Sequence, residues 1–217
     1  SFFKFLLAQE QISSDPMTKI SVLKTKKRLP TFVREDDMVN LLDNHIFEDT
    51  FHGHRDRLIL EMFYGTGIRL SELINLKEDS IDFRNRMIKV QGKRNKERMI
   101  PFSASLVPVI EEYLSIRNRQ VEMKEHGNLF VRDNGEPCYP MMIYKIVKKY
   151  LSLYPSIEKR SPHVLRHTYA THLLNKGADL NAVKDLLGHA SLAATQVYTH
   201  NSMEKLKKVF DQAHPKA

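Results

Sequence analysis

The chain has 217 residues, of which 41% are hydrophobic, so it is long enough to fold around a core of its own. Lysine and arginine outnumber aspartate and glutamate by 34 to 26, and the net charge of +8 favours an anionic partner, either nucleic acid or a membrane surface. The single cysteine, Cys138, excludes an internal disulfide and a cysteine-rich zinc site. The single cysteine also fits a reducing cytosol, so we expect a cytoplasmic location. No apolar run approaches the roughly 20 residues of a membrane helix, and we expect no membrane partner.

The first 30 residues have the composition of a helix end followed by a linker. Residues 1–10 resemble the last turns of a helix, and because the chain begins without methionine we expect a fragment of a longer protein. Residues 11–30 are polar and basic, which is typical of an extended linker. Its basic residues suit either contact with a phosphate backbone or simple solvation, and they are Lys24, Lys26, Lys27 and Arg28.

From Val33 onward, apolar residues recur with a helical period. We expect Gly65 and Gly67 to end the second of these helices and Ser71 to cap the third. The last helix carries an apolar stripe that includes Val209 and Phe210. The predicted helices span about 34–44, 54–65, 72–76, 104–122, 140–153, 163–176, 179–187, 191–198 and 202–212.

The period changes to two between residues 86 and 101. Residues 86–91 and 97–101 alternate on either side of 92–96, which predicts a β-hairpin. The fold class is therefore α+β, mainly α with a small antiparallel β-sheet. Residues 84–98 hold seven basic residues and one acid, so we expect several of them to contact phosphates.

Three distant fragments carry residues suited to attack on a phosphodiester. They are residues 67–73 with Arg69, residues 163–166 with His163 and Arg166, and residues 187–198 with His189 and Tyr198. Taken singly, each has a structural explanation, such as a surface arginine, a loop histidine or a packing tyrosine. Taken together they make a poor structural set, because cations repel and resist burial. Arginines neutralise a phosphate, histidines hold or move protons, and a tyrosine supplies an oxygen nucleophile.

The histidines also raise a metal site as an alternative, since His163 and His167 are four residues apart and His172 is near them. The metalloprotease version of this spacing needs a glutamate after the first histidine, where the chain has Val164. We therefore expect no metal. Glu72 is left with two interpretations, since it either holds Arg69 or faces solvent.

The fragments around Arg69 and from Ser161 to His200 resemble the two boxes of the tyrosine recombinase catalytic domain, the phage integrase family, and above all its Xer-type members. The interval of nine residues between His189 and Tyr198 is part of that resemblance. It implies a catalytic lysine on the hairpin, where Lys93 matches; Arg94 replaces the usual small residue, so Arg94 and Lys96 also compete for that role. The implied catalytic set is Arg69, Lys93, His163, Arg166, His189 and Tyr198, and the implied DNA-contact set adds Arg94 and Lys96 to the linker residues.

The resemblance further implies a site-specific recombinase that acts on double-stranded DNA through a 3′-phosphotyrosyl intermediate, without metal or other cofactor. It implies residues 1–30 as the remnant of an N-terminal DNA-clamp domain plus linker, and 31–217 as the catalytic domain with a C-terminal exchange helix. It also implies a homo- or hetero-tetramer on two DNA sites, working in the nucleoid. The alternatives are a type IB topoisomerase and a DNA-binding protein without catalysis, since residues 178–189 also suit part of a helix-turn-helix.

Overall fold

The computed structural model describes residues 2–20, 31–92, 97–122, 125–188 and 200–216. The chain divides into two compact units, residues 1–30 and 31–217. The first unit contains helix α1, Phe2–Ala8, and a short 3₁₀ turn at Pro16–Lys19, which the Asp15 side chain caps. That this unit is the remnant of a clamp domain stays a prediction.

In its described residues the second unit is mainly helical and contains a three-stranded antiparallel sheet, whose middle strand is the second in the sequence. The predicted fold class is confirmed. The helices α1 to α9 span Phe2–Ala8, Glu35–Val39, Phe51–Thr66, Leu70–Ile74, Leu106–Gln120, Pro140–Leu151, Pro162–Asn175, Leu180–Leu186 and His200–Ala213, and the strands β1 to β3 span Ile81–Asp82, Met87–Gln91 and Glu97–Pro101.

Most predicted elements lie within a few residues of the observed ones, with three differences. The helix predicted at 34–44 is α2 continued by a π-helical turn at Asn40–Asn44. Strand β1 was not predicted, because two residues are too few to show an alternation. Gly65 does not end α3 but lies inside it, and Gly67 alone terminates the helix in the left-handed conformation. The helix predicted at 191–198 lies outside the described residues.

Helix α3 is the central element of the core. It is buried almost along its whole length and packs against α5, α6 and α7. Consecutive apolar residues such as Leu58, Ile59 and Leu60 are all buried, so protein surrounds this part of α3 on every side. The helix also buries three charged side chains, those of Arg55, Asp56 and Glu61. The start of α7 lies beside the end of α3, since Arg166 in the second turn of α7 donates to the carbonyl of Gly67, which caps α3.

A second apolar cluster joins α7, α8 and α9. In this cluster Phe210 of α9 is fully buried with Tyr169 and Leu173 of α7. Beyond α9, His214 stacks on Phe210 with ring centroids 4.8 Å apart and donates from Nε2 to the Tyr64 carbonyl at 3.1 Å. In the single chain, the described part of α9 therefore packs on its own domain.

The second unit begins with a fixed contact between Val33 and α7. The Val33 amide donates to Thr168 Oγ1 at 2.9 Å, and the Val33 carbonyl accepts from His172 Nε2 at 3.0 Å. The Nδ1 atom of His172 then accepts from the Tyr64 hydroxyl at 3.0 Å. Burial lowers the pKa of His172, so it is held as the neutral tautomer that these two contacts require. Within the described residues, no helix combines the length and the apolar character that crossing a bilayer requires.

Candidate active site

The turn between α3 and α4 positions Arg69. Gly67 has φ of +59°, and a Cβ at this position would lie 2.5 Å from Cδ1 of Tyr169. Arg69 follows as the N-cap of α4, where its own amide donates to Glu72 Oε2 at 2.8 Å. The predicted cap, Ser71, is therefore wrong: α4 begins two residues earlier, and the Glu72 carboxylate satisfies the first amide instead.

Glu72 is the shared partner of two arginines. Its Oε1 atom lies 2.7 Å from Nη1 of Arg69, and its Oε2 atom lies 2.8 Å from Nη2 of Arg98. Burial alone raises the pKa of Glu72, but the guanidinium of Arg98 and then that of Arg69 outweigh it and hold the pKa below its ordinary value. Of the two interpretations of Glu72, the one in which it holds Arg69 is correct.

Helix α7 supplies His163 and Arg166 from its first turns. Pro162 occupies the first helical position, where its missing N–H costs no hydrogen bond. His163 is exposed, and Arg166 donates through Nη1 to the Gly67 carbonyl and through Nη2 to the Leu187 carbonyl. Burial, reinforced by Arg69 and Arg98, lowers the pKa of Arg166 to about 10, so it remains a cation at neutral pH.

The carboxyl end of α8 collects three arginines. The carbonyls of Leu186, Leu187 and Gly188 accept hydrogen bonds from Arg98, Arg166 and Arg69, in that order. The last carbonyls of a helix have no partner inside the helix and carry partial negative charge, so they suit guanidinium donors. We call Arg69, Arg98, Arg166 and Glu72 the arginine cluster. It holds three cations and one anion, and this excess of positive charge suits an anionic ligand.

A cleft of about 460 Å³ opens beside the arginine cluster. Arg69, His163 and Arg166 line it together with Ile68, Ile74 and Pro140. The Arg69 side chain is 33% exposed, and its guanidinium can therefore reach a ligand in the cleft. Three of the six residues predicted as catalytic are thus brought together.

The other three, Lys93, His189 and Tyr198, lie outside the described residues, as do Lys24, Lys26, Lys27, Arg28, Arg94 and Lys96. Gly188, the last described residue before His189, contributes its carbonyl to the arginine cluster. Among the described residues, no group of three or more histidine, cysteine, aspartate or glutamate side chains is arranged to hold a metal ion.

Arg98 was missed as a site residue, because it was counted among the basic residues of the hairpin that contact phosphates. Its side chain is only 6% exposed and points into the domain. The register of the hairpin strands could have predicted that Arg98 is buried. Arg98 pairs with Val90 and lies two residues before Ile100, and all three are buried on one face of the sheet.

The chain matches the model of the phage integrase family over residues 31–205. It therefore belongs to the phage integrase family, and the resemblance drawn from the two boxes is confirmed. Its class of activity is that of a tyrosine recombinase, an enzyme that breaks and rejoins DNA strands.

Similar proteins agree with this assignment. The chain is 41% identical to tyrosine recombinase XerC of Listeria welshimeri over all of the chain and 73% of that protein. It is 40% identical to tyrosine recombinase XerC of Thermodesulfovibrio yellowstonii, over 99% of the chain and 72% of that protein. Among solved structures, XerH site-specific recombinase bound to a palindromic difH substrate superposes with a TM-score of 0.71 and 28% identity, covering 88% of this chain and 56% of that one.

Proposed function

We propose that the chain is a site-specific recombinase whose cleft holds the scissile phosphate of duplex DNA beside the arginine cluster. The observation that carries this proposal is the convergence of Arg69, His163 and Arg166 on one cleft with an excess of positive charge. The relatives named as tyrosine recombinases and the DNA-bound XerH structure support it. The alternatives of a type IB topoisomerase and of a non-catalytic DNA-binding protein are not favoured by these relatives.

In the proposed reaction, Arg69 and Arg166 bind non-bridging oxygens of the phosphate, because a planar guanidinium matches two oxygens at once. The Tyr198 oxygen attacks phosphorus while its proton passes to His163. The bond from phosphorus to the 5′-oxygen breaks, and Lys93 protonates the departing oxygen. His189 donates a hydrogen bond to a phosphate oxygen. The phosphotyrosyl bond conserves the energy of the broken phosphodiester, so a 5′-hydroxyl of a second strand can reverse the step.

The proposed DNA path continues from the cleft along α6, which begins at the cleft residue Pro140. The exposed side of α6 presents Tyr144, Lys145, Lys148 and Lys149, and residues 137–157 contain no acid. Exposed lysines on a helix that itself carries no acid are suited to a phosphate backbone. The linker and hairpin residues Lys24, Lys26, Lys27, Arg28, Arg94 and Lys96 complete the proposed contact set.

The proposal extends to a homo- or hetero-tetramer on two DNA sites, working in the cytoplasm on nucleoid DNA. Exchange of α9 between copies would replace the contacts that Phe210 and His214 make with their own domain by the same contacts on a neighbour. The exposed hydrophobic residues Phe2 and Phe5 of α1 are consistent with a remnant of an N-terminal clamp domain.

Suicide substrates test this proposal. In such a substrate, a nick just 3′ of the cleavage position lets the short fragment that carries the released 5′-hydroxyl diffuse away, so religation fails and the protein stays covalently bound to DNA. Incubation with substrates built on candidate recombination sites should give a protein–DNA adduct on a denaturing gel. Tyr198→Phe should bind DNA and give no adduct, because it lacks the attacking oxygen, whereas Tyr154→Phe, away from the cleft, should react like the wild type. Adduct formation by Tyr198→Phe would contradict the assignment.

A further inference from the structure

Arg98 occupies a position that the reaction does not account for. It is a buried cation within the arginine cluster, yet it does not line the cleft. Its Nε and Nη2 atoms both bind the Glu72 carboxylate, at 3.3 and 2.8 Å, and Nη1 donates to the Leu186 carbonyl. Each of its three guanidinium nitrogens thus already has an acceptor within the fold, in Glu72 or at the end of α8.

These contacts join three separate segments. Arg98 lies on β3, and Lys93 precedes this strand in the sequence. Glu72 lies on α4 and fixes Arg69 through both its amide and its guanidinium. Leu186 is the last residue of α8, two residues before Gly188, whose carbonyl also binds Arg69. The guanidinium of Arg98 therefore links three segments that each adjoin a proposed phosphate ligand. Strand β3 follows Lys93, helix α4 follows Arg69, and the end of α8 precedes His189.

The packing around Arg98 leaves little freedom for this guanidinium to move. A Cβ added at Gly188, which has φ of +64°, would lie 2.7 Å from Cδ of Arg98 and 2.9 Å from its Nε. The glycine thus lets the backbone after α8 approach the Arg98 side chain closely. A displaced Arg98 would release both the Glu72 carboxylate and the end of α8.

From this geometry we infer that Arg98 is a positioning residue for strand cleavage. It holds Glu72, and through it Arg69, in the orientation that the transition state requires, and it holds the end of α8 from which His189 follows. The inference rests on the proposed function of the cleft. Arg98 acts through its neighbours and does not itself contact the phosphate.

Lysine is the informative replacement for Arg98 because it keeps the positive charge and loses the planar, two-pronged donor geometry of the guanidinium. An ammonium group cannot donate along the two parallel directions that the Glu72 carboxylate accepts while also reaching the Leu186 carbonyl. A misplacement of about 1 Å in a reacting group can cost about 100-fold in rate. We therefore expect Arg98→Lys to slow the first-order formation of the phosphotyrosyl adduct by about 10- to 100-fold at saturating protein, with DNA affinity changed by less than about threefold.

Arg117 provides a matched control. It is another buried arginine, 2.5 Å from a carboxylate oxygen of Glu78 and 3.1 Å from the Leu129 carbonyl, and it shares no partner with the arginine cluster. Arg117→Lys should lower thermal stability as Arg98→Lys does, yet leave the cleavage rate of the folded protein unchanged. Equal slowing by both variants, or an Arg98→Lys rate within twofold of the wild type, would overturn the inference.

A second substrate distinguishes an effect of Arg98 on the position of Arg69 from a general disturbance of the active site. A methylphosphonate at the scissile position replaces one charged oxygen by a methyl group and leaves less charge for Arg69 to neutralise. The rate deficit of Arg98→Lys should therefore shrink on this substrate, as that of Arg69→Ala should. A deficit of the same size on both substrates would show that Arg98 does not act through Arg69.

The experiment distinguishes a failure of the proposed function from a failure of the inference about Arg98. Absence of adduct from the wild type on every substrate refutes the proposed function and the inference with it, whereas a reactive wild type matched by Arg98→Lys refutes the inference alone. If Arg98→Lys does not fold, Arg98→Gln, which keeps one N–H donor near the carboxylate, takes its place in both comparisons. If neither variant folds, Arg98 is a folding residue and the inference is overturned.

Discussion

Gly67 ends the core helix, and its replacement by alanine should be costly for two separable reasons. The first reason is its backbone, which has φ of +59° and costs an L-residue about 1–2 kcal/mol. The second is space, since the new Cβ would lie 2.5 Å from Cδ1 and 2.8 Å from Cε1 of Tyr169. Tyr169 is fully buried and cannot turn away, and overpacking of this kind costs about 1–3 kcal/mol. The expected loss in the free energy of unfolding is therefore about 2–5 kcal/mol.

Two other glycines separate these costs. Gly177 follows α7 with φ of +88° but has no atom within 4 Å of an added Cβ, so Gly177→Ala should cost only the backbone share of about 1–2 kcal/mol. Gly65 lies inside α3 with the same open space and an ordinary helical backbone, so Gly65→Ala should stabilise by about 0.5–1 kcal/mol.

Urea unfolding followed by circular dichroism measures all three variants on one scale. The same protein should show slower cleavage when Gly67 is replaced, because the Gly67 carbonyl accepts from Arg166. If Gly67→Ala loses no more stability than Gly177→Ala, then Tyr169 yields without cost and the packing argument fails.

Two further predictions concern the contacts that hold the ends of the domain. Burial lowers the pKa of His214 from 6.5 to about 4, so the unfolded chain takes up the proton first and stability falls as the pH decreases from about 6.5 towards 4. The share of this loss that comes from His214 should reach about 2 kcal/mol near pH 5 and be absent in His214→Gln, which keeps the share of His172; identical pH dependence of urea unfolding in both proteins would refute it. Thr168→Val leaves the buried Val33 amide without its acceptor and should cost about 1–3 kcal/mol by urea unfolding. Thr171→Val removes the same kind of bond to a carbonyl four residues back but no described tertiary bond, so a cost equal to that of Thr168→Val would contradict this reasoning.

Secondary structure can be predicted from the sequence wherever a pattern repeats over many residues. The long helices and the hairpin follow from apolar spacing, and Arg69, His163 and Arg166 could be paired across 97 residues because the motifs around them are specific. Ser71 was chosen as a cap from its residue type alone. The N-cap is decided instead by which carboxylate reaches the first amide, and that carboxylate belongs to Glu72.

The arginine cluster could not be predicted from residue types. Three arginines close together repel one another, and it is the end of α8 with Glu72 that makes the arrangement stable. Two of these contacts span long stretches of chain, since Arg98 and Leu186 are 88 residues apart and Arg69 and Gly188 are 119 residues apart. Only the fold brings them together. Arg98 shows the limit most clearly, because a basic hairpin predicts phosphate contact and the strand register buries one of its arginines.

The hydrogen bonds that orient the arginine cluster bear on how such an enzyme can be given a new target site. Within the described residues, none of the hydrogen bonds that orient Arg69, Arg98 and Arg166 is made by α6. Libraries that vary the outward side chains of α6 would therefore change the surface proposed to face DNA and leave the hydrogen bonds of the arginine cluster in place. Variation at Gly67 or Glu72 would instead alter folding and chemistry at once. Variants made to recognise new DNA target sites are therefore best restricted to changes on the exposed surface of α6.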